Sequence, residues 1–299
     1  MEGYYVRLAP PGAIIDGWHV DASVPLTIKN QRCADTERPY GEIVSPDALA
    51  LVRFGLRRAS DPRIRDTISV IDAELQTITA RGPVWHRYLD DGYGEPADGS
   101  PHQGWGIGRG WPLLSGERAH YEIANRQLDR ARVLCRAMAS QANQTGLLPE
   151  QIWDAADIPE HGLFNGCPTG SAMPPVWAHA EFLKLCRSLR DGRVFDMPED
   201  AAKRYLGNAP ESSLVVWRAG QHVSVVPRGL TLRVESGVGR EVRWRNPAGE
   251  QSGCIPMRDL GIGLRFADLP TAELPSGAEL CFRFEGSEHA SGERRVRVE

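Results

Sequence analysis

The spacing of apolar residues changes near residue 206. Before that point they recur every three or four residues, as on one face of a helix; after it they alternate in short runs. Ser45-Pro46-Asp47, a capping serine followed by a first-turn proline, predicts a helix through Leu49, Val52, Phe54 and Leu56. Asp61-Pro62 repeats the signal, and Ile64, Ile68, Ile71 and Leu75 then form one apolar stripe. A pair of helices is expected across residues 116–142, where Leu128, Ala131, Cys135 and Met138 share a face. Another is expected over about 173–189, through Trp177, Phe182 and Leu185. Helix following helix, with long Gly-, Pro- and aromatic-rich loops and no strand between them, reads as an all-helical bundle or toroid whose functional groups sit in the loops. Residues 206–299 read differently, as short strands at 214–218, 223–227, 230–235, 241–245, 261–268, 279–285 and 295–299. Leu280, Phe282 and Phe284 alternate there with Cys281 and Arg283. The expectation is a mainly helical domain over 1–205 followed by a small β-sandwich over 206–299.

Charge and composition narrow the functional classes. Of 299 residues, 41% are hydrophobic and 25% charged, and 35 Lys plus Arg against 39 Asp plus Glu leave a net charge of -4. That balance offers nothing to a phosphate backbone, so no nucleic acid is expected as partner. Lysine occurs only at Lys29, Lys184 and Lys203, which excludes a polybasic membrane patch. With a mean hydropathy of -0.37 and no long apolar run, a membrane span is not expected either. The start of the sequence lacks the pattern of a secretory signal, so as written the chain is expected in the cytoplasm, while a longer parent protein would be periplasmic or secreted. The six cysteines lie far apart with no Cys-x-x-Cys pair and read as buried free thiols; neither a metal nor an organic cofactor is called for.

Three loops hold more chemistry than a connector needs: Trp85 to Glu95, Gly106 to Leu114, and Gly146 to Asp154. Aromatic rings beside carboxylates and arginines suit a sugar, whose ring faces are apolar and whose edges carry hydroxyls. The same rings would also serve to pack the mouth of a helical bundle. Gly104-Trp105-Gly106-Ile107-Gly108-Arg109-Gly110 is not a dinucleotide loop, because no strand precedes it and its glycine spacing is wrong. His179 reads as a hydrogen-bonded packing residue, and Arg109 and Glu117 as an ion pair near a helix start.

Four segments carry a resemblance. They are Arg87-Tyr88 to Tyr93; Gly108-Arg109-Gly110-Trp111-Pro112-Leu113-Leu114 to Tyr121; Leu147-Leu148-Pro149-Glu150-Gln151-Ile152-Trp153-Asp154; and Gly170-Ser171-Ala172-Met173-Pro174 to Glu181. Together, in this order over roughly residues 4–205, they resemble glycoside hydrolase family 15, which includes bacterial glucoamylases and glucodextranases. The resemblance implies an (α/α)6 toroid and hydrolysis of α-glucosidic bonds from non-reducing ends, with inversion and release of glucose. It implies Glu150 as general base. It places Arg87, Tyr93, Trp111, Trp177 and Gln151 at the substrate, which is an α-glucan or a maltooligosaccharide or isomaltooligosaccharide.

The family's general acid lies in a Trp-Glu-Glu segment ahead of these motifs, and this sequence has none. The expectation is therefore about half of the toroid, the C-terminal part of a truncated or split enzyme, with the base present and the acid absent. Its partner is then a complementing N-terminal half chain or a second copy, since half a toroid would expose Ile64, Ile68 and Ile71. The alternative is a non-catalytic glucan-binding or interaction protein derived from such an enzyme. Glu42, Glu95 and Glu160 are candidate replacement acids, with Glu95 the best placed. In the C-terminal strands, Trp217 and Trp244 read either as sandwich core or as glucan-facing.

Overall fold

Prolines and capping side chains set where the helices of the first part begin. The computed structural model describes residues 3–13, 20–31, 36–207, 212–220, 222–247, 251–286 and 292–299. Its contacts divide the chain into two units: Met1–Ala9 with Ala22–Ala209, and Pro10–Asp21 with Pro210–Glu299.

The first unit opens with a hairpin of β1 (Pro25–Thr27) and β2 (Glu37–Pro39). Ser45 caps a 3-10 turn, Pro46–Leu49, that runs into the single helical turn α1, Ala50–Arg53. The expected longer helix stops there because the chain turns at Gly55 with φ 74°, leaving Leu56 outside it. Asp61 accepts hydrogen bonds from the backbone N–H groups of Arg63 and Ile64 and starts α2, Pro62–Leu75. Its stripe of Ile64, Ile68, Ile71 and Leu75 is buried within this chain, so the exposure expected of half a toroid does not arise at these residues.

A second hairpin, β3 (Gln76–Thr79) and β4 (Gly82–Trp85), follows α2 directly. Here the all-helical expectation fails, because Thr77 and Thr79 favour extended backbone and Gly82, at φ 112°, supplies the turn. Next come α3 (Pro112–Ala124), α4 (Leu128–Ser140), α5 (Val176–Asp191) and α6 (Glu199–Leu206), the last not anticipated. Helix α5 starts three residues later than expected, after Pro174 and Pro175. The central helix is α3, buried on nearly every side and packed on α4 and α5. A Cβ at Gly116 would lie 2.7 Å from Glu181 Cγ, so this glycine lets α5 come close.

Helix α3 buries charged residues, and most of the charges on and around it are paired. Arg118 bridges Asp72 and Glu122, both at 2.7 Å, while Arg53 bridges Glu181 and Asp196, both at 2.8 Å. His120 faces Glu181 through Nδ1 at 2.8 Å, and Arg53 and His120 hold Glu181 below the usual carboxylate range against the effect of its burial.

The second unit is two sheets over one core. Strands β5 (Leu214–Arg218), β6 (Val225–Val226), β7 (Thr231–Ser236), β8 (Glu241–Arg245), β9 (Ser252–Pro256), β10 (Arg258–Asp259), β11 (Arg265–Leu269), β12 (Glu279–Glu285) and β13 (Arg294–Val298) form sheets ordered β10-β11-β7-β5 and β6-β13-β12-β8-β9. Leu232, Val234, Leu269, Leu280, Phe282 and Val298 are buried between them. Strands β9 and β10 were not foreseen. Trp217 belongs to this core, whereas Trp244 is half-buried, packs against the core over Gly253 and lines a cavity of about 490 Å³ with Arg243 and Arg245.

Five cysteines are free thiols, but only Cys281 is buried; Cys186 and Cys254 are exposed, and Cys33 lies outside the described residues. Among the described residues no helix is long and apolar enough to cross a membrane.

Candidate active site

Three loops of the first unit are stitched together by isolated backbone bridges, Trp85 to Trp111, Gly110 to Ile152, and Ile152 to Pro168. Gly110 is required at this junction because a Cβ there would overlap the Val84 side chain. The seam is locked by charge. Arg109, 3% exposed, lies 3.9 Å over the Trp153 ring and donates to the carbonyls of Glu95 and Pro96 and to Asp154 Oδ1. Asp154 also accepts from the Gly110 N–H at 2.8 Å and sits 3.0 Å from His86 Nε2. Burial works against its charge, but His86 and Arg109 hold its carboxyl below the usual range. The expected Arg109–Glu117 pair is therefore absent: Arg109 is fully engaged in this seam.

On this frame Arg87 grips Asp91 with two bonds, Nε to Oδ2 at 2.7 Å and Nη2 to Oδ1 at 2.8 Å. Its guanidinium lies 4.9 Å from the Tyr93 ring centre and 5.0 Å from that of Trp111. Tyr93 donates its hydroxyl hydrogen to Glu150 Oε2 at 3.2 Å. Glu150 is half-buried; burial pushes its carboxyl above the ordinary glutamate value, while the Tyr93 hydroxyl and Arg87 pull it back and Glu95 raises it further. Gln151 is 1% exposed, with both amide atoms occupied, Nε2 on the Tyr93 carbonyl at 2.9 Å and Oε1 on the Arg109 N–H at 3.0 Å.

The six residues singled out from the sequence fall into two adjoining cavities. Tyr93, Glu150 and Gln151 line one of about 430 Å³, together with Glu95, His102 and Ser171. Arg87, Trp111 and Trp177 line another of about 350 Å³, together with Tyr88, Asp47 and Glu117. Both volumes are in the usual range for small-molecule sites, roughly 300–1,000 Å³. The Arg87–Tyr93–Trp111 stack joins them. Trp177 is 52% exposed and meets Trp111 edge-on at 5.5 Å, so it is not core. Trp111 is 2% exposed, and its indole N–H has no partner in the protein.

Of the three candidate replacement acids, Glu95 lines the Glu150 cavity, whereas Glu42 and Glu160 are exposed. Sequence reasoning missed Asp91, His102 and the position of Glu117. Asp91 carried a signal, an acid four residues after Arg87; Glu117 carried none, since only packing brings it beside Trp111. Burial, with Glu181 next, pushes the Glu117 carboxyl up to about 7. His179 accepts the Leu148 N–H on its Nε2 at 3.1 Å, the packing role expected of it. Among the described residues no cluster of side chains suits a metal ion.

A loop-borne carboxylate next to packed aromatic rings and an arginine, on a helical unit, has the make-up of a carbohydrate site. Comparison with known proteins agrees. The chain is 43% identical over 165 residues to a glucoamylase of Clostridium sp. (strain G0005), a stretch covering 55% of this chain and 22% of that relative. Its structure is similar to the crystal structure of a bacterial glucoamylase complexed with acarbose. There the TM-score is 0.59 at 40% identity, over 68% of this chain and 27% of that one. The sequence matches no family model. The chain is thus glucoamylase-like in sequence and fold, and it spans about a quarter of the length of these relatives.

Proposed function

We propose that this chain carries the base side of an inverting, glucose-releasing α-glucan hydrolase of glycoside hydrolase family 15, its helices forming part of an (α/α)6 toroid. The observation that carries this reading is the convergence on Glu150, in a cavity wall, of the Tyr93 hydroxyl at 3.2 Å and of the Arg87 charge stacked over the same ring. The likeness to glucoamylases supports it.

Each residue then has a task. Glu150 takes a proton from water as the water oxygen bonds to the anomeric carbon, and the bond to the leaving oxygen breaks. Arg87 spends Nε and Nη2 on Asp91, which leaves Nη1 to donate to a sugar hydroxyl. The unpartnered indole N–H of Trp111 is a second donor at the neighbouring cavity, where Trp177 offers an exposed ring for the apolar face of a sugar. Tyr93 orients the base, and Gln151 holds the loop that presents it. Inversion needs a second carboxyl roughly 6.5–9.5 Å from the base to protonate the leaving oxygen. In this reading that acid, and the opposite wall of the pocket, come from sequence beyond these residues, in a longer chain, a complementing chain or a second copy.

Incubating the purified chain with maltooligosaccharides and with isomaltose, and following glucose by NMR, tests the reading. The expected result is β-glucose from wild type, alone or mixed with the complementing segment of a glucoamylase, and none from Glu150→Gln. Absence of release in every mixture, with the sugars still bound, favours instead a non-catalytic glucan-binding protein. The placement of Glu95 on the base's own side is the observation on that reading's side, since it leaves the acid role unfilled among the described residues.

A further inference from the structure

Glu95 has a buried carboxylate that the reading above leaves without a task. It is 7% exposed, its Oε1 accepts the Gly170 N–H at 2.9 Å, and its Oε2 has no hydrogen-bond partner in the protein. A buried carboxylate oxygen without a donor is costly, so a donor from outside the protein belongs next to it. The cavity it shares with Glu150, about 430 Å³, has room for several waters at roughly 30 Å³ each.

The wall around that cavity limits what the donor is. His102 Nδ1 lies 3.0 Å from the Gly94 carbonyl, which only accepts, so Nδ1 carries a hydrogen and is spent on that bond. The carboxylates of Glu95 and Glu150 are acceptors on this wall, and the Tyr93 hydroxyl already donates to Glu150. A small, donor-rich occupant suits such a lining, and water is the simplest one. Glu95 is also tied to the base through the backbone. It holds Gly170, the next residue Ser171 accepts the Gln151 N–H at 2.9 Å, and the Ala172 carbonyl accepts the Glu150 N–H at 2.8 Å.

We propose that Glu95 and Glu150 form a carboxylate pair across a water-filled cavity, in which Glu95 positions the waters that serve Glu150 and receives the proton that Glu150 removes. The proposal rests on the reading of Glu150 as base. After attack, the Glu150 O–H passes its proton to a cavity water as that water gives one of its own to Glu95. One proton has moved, no electron changes hands, and Glu95 later releases the proton to solvent. Glu95 is thus a positioning residue. Shut in and held by Gly170, it does not reach a leaving oxygen as an acid must. The charged and titratable groups that face Glu150 are Tyr93, Arg87 and Glu95, with His102 and His161 on the same cavity wall.

The test is a carbon-13 titration of the full chain labelled in its glutamate carboxyls, with Glu150 assigned by its loss in Glu150→Gln. Glu95→Gln keeps an acceptor for Gly170 and removes the charge. The Glu150 midpoint is expected to fall by about half a pH unit or more in this variant, with its Tm unchanged. An unchanged midpoint in folded Glu95→Gln overturns the proposal, and so does a fall seen in Glu95→Ala alone, which marks a merely structural role. If neither variant folds, the wild-type curve decides: a Glu150 titration broader than a single-proton curve is expected, and a simple one-proton curve overturns the pair. Failure to release glucose together with the expected shift would sink the hydrolase reading and leave the pair standing.

Discussion

Tyr93 is where the charge of the site is adjusted. Its hydroxyl stabilises the ionised form of Glu150, whose carboxyl burial otherwise pushes up. Tyr93→Phe keeps the ring against Arg87 and Trp111 but removes that bond, so the neutral acid gains. The Glu150 midpoint is expected to rise by about half a pH unit, read by carbon-13 titration, and any activity to lose its acid side correspondingly earlier as pH falls. Glu117 behaves in the opposite sense to a paired acid. Its folded value of about 7 lies above that of an ordinary glutamate, so folding takes up a proton there and the benefit present below about pH 4 is lost as pH rises through 7. Glu117→Gln, neutral at every pH, is expected to melt about 2–4 °C higher than wild type at pH 8, the shift produced by about 1 kcal/mol, and together with it near pH 4. Equal melting at pH 8 would contradict this account of Glu117.

At the scale of elements, the bridges between loops matter as much as the helices. Gly110 sits where the strand-end residue Val84 approaches, and its N–H donates to Asp154. Gly110→Ala forces a methyl into that contact and is expected to destabilise by about 1–3 kcal/mol, measurable by urea unfolding, while moving Trp111 and Ile152 with it. Helix starts were legible because Ser45-Pro46 and Asp61-Pro62 act through local backbone bonds. Strands β3 and β4 were not. Four residues continuing from a helical stripe give no period of their own, and it is pairing of Gln76–Thr79 with Gly82–Trp85 that makes them strands. The late start of α5 was in principle readable, since two prolines at 174 and 175 stand inside the expected helix.

For the whole molecule, each unit has its own buried cluster, one set around Ile71, Leu75, Trp85 and Leu185, the other around Leu232, Phe282 and Val298. Separate cores favour separate unfolding. Leu232 is fully buried, and Leu232→Ala is expected to cost about 2–5 kcal/mol. In a calorimetric scan it should lower one transition and leave the one belonging to the helical unit in place; a single transition shifted as a block would argue against independent cores. The apolar stripe of α2 is covered by apolar clusters within this chain. On α2, Ile64, Ile68 and Ile71 pack inward, and Asp72 of the same helix is paired with Arg118 of α3.

Local signals settled most of what the sequence determined alone: the change of period near residue 206, the capped helix starts, and the ring-, glycine- and carboxylate-rich loops with Glu150, Arg87, Tyr93, Trp111, Trp177 and Gln151 in them. Those features depend on neighbours a few residues away, and such spacing is written directly in the chain. Only the tertiary structure assigned Arg109 to Asp154 instead of Glu117, split the six residues between two cavities, and brought Glu95 to the wall shared with Glu150. Those outcomes turn on which of many possible long-range partners a buried charge meets, and that choice is made by packing, where desolvation leaves each charge no alternative to the partner the fold supplies.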